Sequence, residues 1–410
     1  MKQQLVQIIS ISNKHRYFSM LDNLCWLSKN LYNVALFHIR QHYKENKSYL
    51  NYFELNKILS KSKNIDYISL PYIQCSQQIL RQVDKQYVSF YKLIKSNKMK
   101  GKHIRLPKYK DKEKGRNIVI YTNQCFKQKK DKIILKIDKS NKIEFKTDKT
   151  NIQQVRIVPK GNHINIEIIY NTEYKIKPNN NRYASIDLGL NNICTLTSNV
   201  CQSIIYNGKT IKSINAFYNK KKAKLKSQLK NKYTSNRIKR LSNRRNNKIK
   251  DYLHKLSYTI VKYMEDNQLN TLFVGKNIGW KENINIGKVN NQNFISIPYN
   301  MLISMLDYKC KLAGINMIIV NEAYTSKCSF IDNEKICKHE TYLGNRTLRG
   351  LYISNNGIKI NADINGSFNI MRLGLEKINV KLDAFQIMPE NKRFVYNPIR
   401  IEIFEIKKFE

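Results

Sequence analysis

Apolar positions along this chain change their spacing several times, and the changes divide it into four stretches. Residues 1 to about 18 read as a strand. From Tyr17 to about Lys47 the period becomes helical, with Leu24, Leu27, Leu31, Val34 and Ile39 on one broad face. A second long helix is predicted from about Tyr72 to Lys95, through Ile79, Val83, Tyr87, Phe90 and Leu93. Residues 117–172 return to a period of two: "NIVIYT", "KIILKI", "KIEFKT", "QVRIVP" and "INIEIIY" read as short antiparallel strands. The first part is therefore α+β, a helical segment inserted into or flanking a small β-barrel, and "KIKPNNNR" at 175–182 is a plausible boundary.

From 183 the pattern is α/β. A strand, "RYASIDLGLNN", is followed by the strands "ICTLTS" and "QSIIYNG". Two basic helices span 214–233 and 236–267, the second with Ile249, Leu253, Leu256, Ile260, Val261 and Met264 inward. "NTLFVG" is a buried strand, 299–313 a helix and "NMIIVNE" another strand; an irregular insertion covers 325–359, and a short helix follows. The order β-β-β-α-β-α-β-insertion-α is that of an RNase H-like sheet.

Charge sharpens this picture. The chain has 410 residues, 74 Lys plus Arg against 30 Asp plus Glu, and a net charge of +44. Such an excess points to a polyanionic partner, most often nucleic acid. No stretch approaches the roughly 18 apolar residues of a membrane span. The N-terminus lacks a signal-peptide pattern, and the eight cysteines follow no framework spacing, so a reduced, cytoplasmic setting without membrane or secretion is expected. The segment "NKMKGKHIRLPKYKDKEKGR" is basic and interrupted by Gly101, Pro107 and Gly115. It reads as a loop that meets phosphates or as a solvated linker.

Against this basic background three acids stand out. Asp187 lies at the end of an apolar strand, immediately before a Gly-containing turn. Glu322 and Asp363 follow the apolar segments "NMIIV" and "GIKIN". Burying a carboxylate is costly unless a positive charge holds it. Three carboxylates at the ends of apolar segments suggest a metal-dependent phosphodiester hydrolase binding Mg2+ or Mn2+. Structural alternatives exist for each: Asp363 as a helix N-cap, Glu322 as a surface acid at a strand end, Asp187 as a satisfied buried acid. "NGKT" at 207–210 lacks the first glycine of a phosphate loop, since Ser203 occupies that position. Tyr87, Phe90 and Tyr91, or Tyr49, Tyr52 and Phe53, are candidates for base stacking or, more commonly at such spacings, for a core.

As a set, "ASIDLGLNN", the basic "NRIKRLSNRRNNKIKDYLHKLS", "YTSKCS", "RGLY" and "NADINGSFNI" resemble the transposon-encoded TnpB (OrfB-type) proteins, compact RNA-guided DNA endonucleases with a RuvC-like domain, related to type V CRISPR effectors. The resemblance is strongest from Tyr183 to Leu373 and implies a domain plan. Residues 1–177 would form a wedge-like β-barrel with a helical recognition insertion at about 18–100. Residues 178–324 would begin the RuvC-like nuclease domain, 325–359 would be a degenerate zinc-finger-like insertion, and 360–410 would complete the domain and its tail. The implied partners are a guide RNA and a double-stranded DNA target with a short adjacent motif. The implied activity is RNA-guided cleavage of DNA by two-metal hydrolysis with Asp187, Glu322 and Asp363. The alternatives are a guided DNA-binding protein without cleavage, or a DNA-strand-transfer transposase.

Two departures from the family pattern matter. The usual middle acid just after a strand is here Gly275, in "LFVGKNIGW", and Glu322 from the adjacent strand is expected to replace it. In the insertion only Cys328 and Cys337 stand for the two expected cysteine pairs, with His339 nearby. Zinc needs four ligands, or three and water, so zinc is not expected.

Overall fold

The computed structural model describes residues 1–96, 104–138, 140–229, 233–277, 287, 291–292, 295–348 and 350–403. Two compact units divide it, one spanning Lys2–Glu173 and the other Tyr174–Glu410 together with Met1.

In the first unit, strand β1 (Lys2–Ser12) leads to four helices: α1 (Phe18–Asn46), α2 (Tyr52–Lys61), α3 (Ile65–Ile68) and α4 (Ile73–Lys95). Strands β2 (Val119–Thr122), β3 (Phe126–Lys129), β4 (Lys132–Lys136), β5 (Lys142–Lys146), β6 (Ile152–Pro159) and β7 (His163–Glu173) follow. The helices are thus inserted between the first two strands of the sheet β1-β7-β6-β2, and β3-β4-β5 form a second antiparallel sheet. By hydrogen bonding, the expected barrel is two sheets. The sequence period missed α2 and α3, which are too short to display one; asparagines start both, the Asn51 and Asn64 side chains accepting the first backbone N–H groups.

The predicted inner face of α1 is buried or packed against the core. Tyr87 lies buried in that core, and Tyr49 donates to Asp84, so these aromatics pack. Phe53 is exposed. Where it is described, the basic segment is largely exposed yet held to α1. Arg40 donates to Pro107 O (2.6 Å), Lys29 to Lys112 O (2.6 Å), and Asn33 and Lys110 exchange bonds, which pins 107–112 along α1. Residues 97–103 of that segment lie outside the described residues.

The second unit is built on a six-stranded sheet. Strands β8 (Tyr183–Asp187), β9 (Asn192–Ser198) and β10 (Ile204–Asn207) run antiparallel in series, and helices α5 (Lys209–Ser227) and α6 (Asn236–Asp266) lead to β11 (Thr271–Gly275). Helix α7 (Tyr299–Ala313) leads to β12 (Asn316–Val320). β11 pairs parallel to β8, and β12 parallel to β11. The insertion is more ordered than expected: strands β13 (Asn345–Leu348), β14 (Leu351–Ile353) and β15 (Lys359–Asn361) make a small antiparallel sheet before helix α8 (Ala362–Lys377). A last strand, β16 (Ile399–Ile401), pairs parallel to β10, completing the order β12-β11-β8-β9-β10-β16. Three residues are too few to announce a strand by period.

Both faces of this sheet are covered, which explains strands that are apolar throughout. Ala184, Ile186, Leu272 and Val274 pack with the predicted face of α6 and with α7. Tyr183 and Phe273 pack with Phe368, Ile370 and Met371 of α8 on the other side. Among the described residues no helix is long and apolar enough to cross a membrane.

Candidate active site

Strand register sets the site's frame. Val274 is level with Ile186, and Gly275 with Val320, so β8, β11 and β12 end together, with Asp187 and Gly275 as the last residues of their strands. Glu322 sits two residues beyond β12, where its backbone N–H donates to Asn277 Oδ1 (3.0 Å). β8 and β12 flank β11, so their carboxyl ends bring Asp187 and Glu322, distant in sequence, to either side of Gly275.

Gly275 has a steric reason to lack a side chain. A Cβ at this position would stand 2.5 Å from Glu322 Oε2 and 2.5 Å from Ile370 Cδ1. The Glu322 carboxylate therefore occupies the space over the end of β11.

Asp363 arrives on α8. It is not the N-cap: Asn361 is, accepting from Asp363 N (3.0 Å) and Ile364 N (3.3 Å). The Asp363 carboxylate is left for other work. Its Oδ2 accepts from Asn192 Nδ2 (2.6 Å), and Arg346 of β13 lies 3.6 Å from Oδ1. Helix α8 approaches β8 closely through Gly366, where a Cβ would lie 2.9 Å from Asp187 Oδ2. Next to it Ser367 joins Ser185 and Thr197 in a buried hydroxyl cluster that clamps helix to sheet.

The electrostatics are those of a shared anionic site. Asp187 is held well above the usual carboxylate range, first by burial and then by the charges of Glu322 and Asp363; Arg346 and the Leu188 N–H pull the other way. Asp187 keeps some exposed surface, so its burial describes the surroundings of the acid rather than a sealed cavity. Burial pushes Glu322 up to about 7. Its Oε2 is buried with no hydrogen-bond partner among the described residues. An orphaned buried acceptor beside two further carboxylates fits a hard cation bound by oxygen ligands. The side chains as they stand do not form a closed cage, since no three Asp, Glu, His or Cys groups among the described residues converge on one point.

The sequence singles out the three acids as candidates but not Asn192, Arg346 or Asn277, which lie around them. Asn192 lay within a quoted motif without a role, and an arginine among so many cations carries no signal of its own.

The insertion holds the other candidates. Cys337 Sγ is 3.3 Å from His339 Nε2, whose ring nitrogen is also 2.7 Å from Lys335 O. Buried Cys328 donates weakly to Cys337 O at 3.6 Å. The polar anchors nearby are acids. Glu334 accepts from Ser329 N (2.6 Å) and Leu343 N (3.0 Å), and Asp332 accepts from Asn355 N (2.9 Å). Arg372 of α8 donates to the carbonyls of Glu334 and Asn333. "NGKT" also has a structural explanation: a Cβ on Gly208 would meet the carbonyls of Asn191 and Leu190 at 2.9 Å. Arg349 of "RGLY" and residues 278–280 of "KNIGW" lie outside the described residues.

Residues 163–281 match the family model OrfB_IS605, described as "Probable transposase", and residues 299–370 match "Cas12f1-like, TNB domain". The TnpB-like protein ORF457 of Acidianus two-tailed virus is 24% identical over 264 residues, covering 61% of this chain and 53% of the relative. The TnpB-like protein MJ1635 of Methanocaldococcus jannaschii is 30% identical over 142 residues, covering 35% and 30%. The chain thus spans about half the length of the first of these curated relatives and under a third of the second. Among solved structures, a cryo-EM structure of a Cas12f1–sgRNA–target DNA complex aligns over 89% of this chain and 98% of that one, at 12% identity and a TM-score of 0.37. A CRISPR-Cas12f ternary complex aligns over 86% and 80%, with the same identity and score.

Proposed function

From the premise that this chain is a TnpB-type protein related to the type V effectors, we propose that it is a metal-dependent, RNA-guided DNA endonuclease. The observation that carries the reading is the gathering of Asp187, Glu322 and Asp363 around one end of the sheet, with a buried Glu322 oxygen left unsatisfied. The strand order and pairing support an RNase H-like, RuvC-like core: three antiparallel strands, then two parallel ones added beside the first. The inserted helices and paired strands of the first unit are compatible with a wedge and recognition module that holds a guide RNA and a short target-adjacent DNA motif.

Asp187, Glu322 and Asp363 would hold Mg2+ or Mn2+. Such ions, when bound, activate water and neutralise charge on the leaving oxygen. Asn192 fixes the Asp363 carboxylate by donating to Oδ2. Arg346 offers a cation within reach of the same group and of a phosphate placed there. Gly275 keeps the end of β11 open for Glu322, and Gly366 lets α8 lie against Asp187. The basic faces of α5 and α6 would hold the nucleic-acid backbone.

The test is cleavage of a matched duplex by protein purified with RNA transcribed from its own flanking DNA. Cutting with Mg2+ or Mn2+, abolished separately by Asp187→Ala, Glu322→Ala and Asp363→Ala while RNA-dependent DNA binding persists, is the expected result. Wild-type protein that binds but never cuts means a guided DNA-binding protein instead. Joining of DNA ends without any RNA requirement would make the protein a strand-transfer transposase, the reading favoured by the words of the matched family model.

A further inference from the structure

Helices α5 and α6 pack antiparallel, as two bridges show: Arg245 Nε donates to Asn215 Oδ1 (2.8 Å), and Tyr218 and Ser242 share a hydroxyl bond (3.0 Å). Their outer faces enclose two adjoining hollows of ≈ 480 and ≈ 300 Å³ that share Lys221, Leu241 and Arg244. Lys248 lines the first, and Arg237 and Arg240 the second; no carboxylate lines either. Neither α5 nor α6 as far as Lys250 contains an acid, and among the described residues none of these cations forms an ion pair. Phe217 lies between them, 61% exposed, with Lys221 Nζ 5.3 Å from its ring centre.

A solvated basic helix needs no exposed phenylalanine set in a cationic cleft. Cations and an open aromatic face together match a single nucleic-acid strand, whose phosphates neutralise the one and whose unpaired base covers the other. A duplex keeps its bases stacked and offers Phe217 nothing. An acidic protein offers the charge without the planar face.

The cleft is tied to the candidate active site. Gly208 N donates to Asn191 O (2.8 Å), and the Lys212 ammonium contacts the Asn191 side chain, so α5 starts from the turn that follows Asp187. Phe217 is five residues further, about 7 Å along the helix axis. From the Arg245 end of the cleft, that side chain donates to Ser296 O (2.7 Å) just before Tyr299, whose hydroxyl donates to Gly189 O (2.7 Å). The cleft and the turn after Asp187 are thus joined at both of these points.

We propose that the α5–α6 cleft binds single-stranded DNA, with phosphates on Lys221, Arg240 and Arg244 and one base stacked on Phe217. That the strand is DNA, and the one to be cut, rests on the endonuclease reading; that the cleft takes a single nucleic-acid strand does not. The test uses the full chain in chelator, so that no cleavage is needed, and a short single-stranded DNA carrying 2-aminopurine. Phe217→Ala is expected to weaken binding about 5- to 150-fold and to relieve the fluorescence quenching, while the slope of log K against log salt stays the same. Phe217→Trp should restore both. Lys221→Ala with Arg244→Ala should flatten that slope by about 1.4. Duplex DNA of the same sequence should bind Phe217→Ala and wild type alike. A Phe217→Ala protein that binds single-stranded DNA as wild type does overturns the proposal. So does a loss confined to single-stranded RNA, which would make the cleft a guide-RNA site. If the protein never cuts DNA yet these binding effects appear, the cleft stands and the endonuclease reading falls.

Discussion

At the residue scale, the exchange between Gly275 and Glu322 is the clearest case of two positions explaining each other. The glycine is open because the carboxylate from the neighbouring strand fills its place. Gly275→Ala puts a methyl 2.5 Å from Glu322 Oε2 and from Ile370, so the carboxylate must move away. Cleavage by this variant is expected to fall by about 10- to 100-fold, the range seen when the support of a metal ligand is disturbed; unchanged cutting would mean Glu322 is not a ligand. Asn192→Ala, which frees Asp363 Oδ2, belongs to the same range and is read by the same assay.

Lys309 shows how burial acts away from the site. Its ammonium donates to His254 O (2.7 Å) and Ser257 Oγ (2.8 Å), yet burial lowers its pKa to about 8. A base with a depressed folded pKa costs stability while both states are protonated, and that cost is relieved as pH rises from about 8 toward its unfolded value of 10.5. Lys309→Met removes this contribution. Relative to wild type, its unfolding free energy should decline by about 1–2 kcal/mol between pH 7 and pH 10, after discounting for partial exposure. Denaturant titrations at the two pH values measure it, and a difference that does not change with pH would refute it.

At the element scale, α8 joins the sheet to the insertion. It carries Asp363, its buried face meets the sheet, and Asn365, Asn369 and Arg372 hold the insertion by its carbonyls. Gly374 allows the close approach: a Cβ there would lie 2.2 Å from the Phe273 ring. Gly374→Ala is expected to cost about 1–3 kcal/mol by overpacking, seen as a lowered melting temperature. Arg372→Met leaves the carbonyls of Glu334 and Asn333 without their donor and should cost a similar amount. Its distinguishing readout is faster proteolysis within 325–359, because the insertion rather than the sheet loses its anchor.

At the scale of the whole molecule, charge dominates. With +44 spread over helices and loops, RNA binding should show a log–log salt slope much steeper than −2, since each neutralised phosphate contributes about −0.7 to −0.9. A shallower slope would mean few phosphates are engaged and would undercut the guide-RNA reading. The two compact units each have their own core. A fragment covering residues 1–173 is therefore expected to unfold cooperatively by circular dichroism.

Long periodic elements were legible from the chain because burial of one face imposes its spacing on the sequence, as in α1, α4 and the inner face of α6; β8, β11 and β12 were legible instead as short runs apolar throughout, in a sheet covered on both faces. The three acids were legible for the opposite reason, as charges placed where apolar residues belong. Short elements such as α2, α3 and β16 left no trace, because three to ten residues do not establish a period and their positions come from caps and edge pairing. Who stands beside whom was decided only in three dimensions. Parallel pairing of β11 and β12 puts Glu322 over Gly275, the Asn361 cap leaves Asp363 free for the cluster, and Arg346 reaches it from a separate sheet. Such contacts join residues far apart in the chain, 182 positions from Ser185 to Ser367; they depend on register and on close backbone approach at glycines, neither of which hydrophobic spacing encodes.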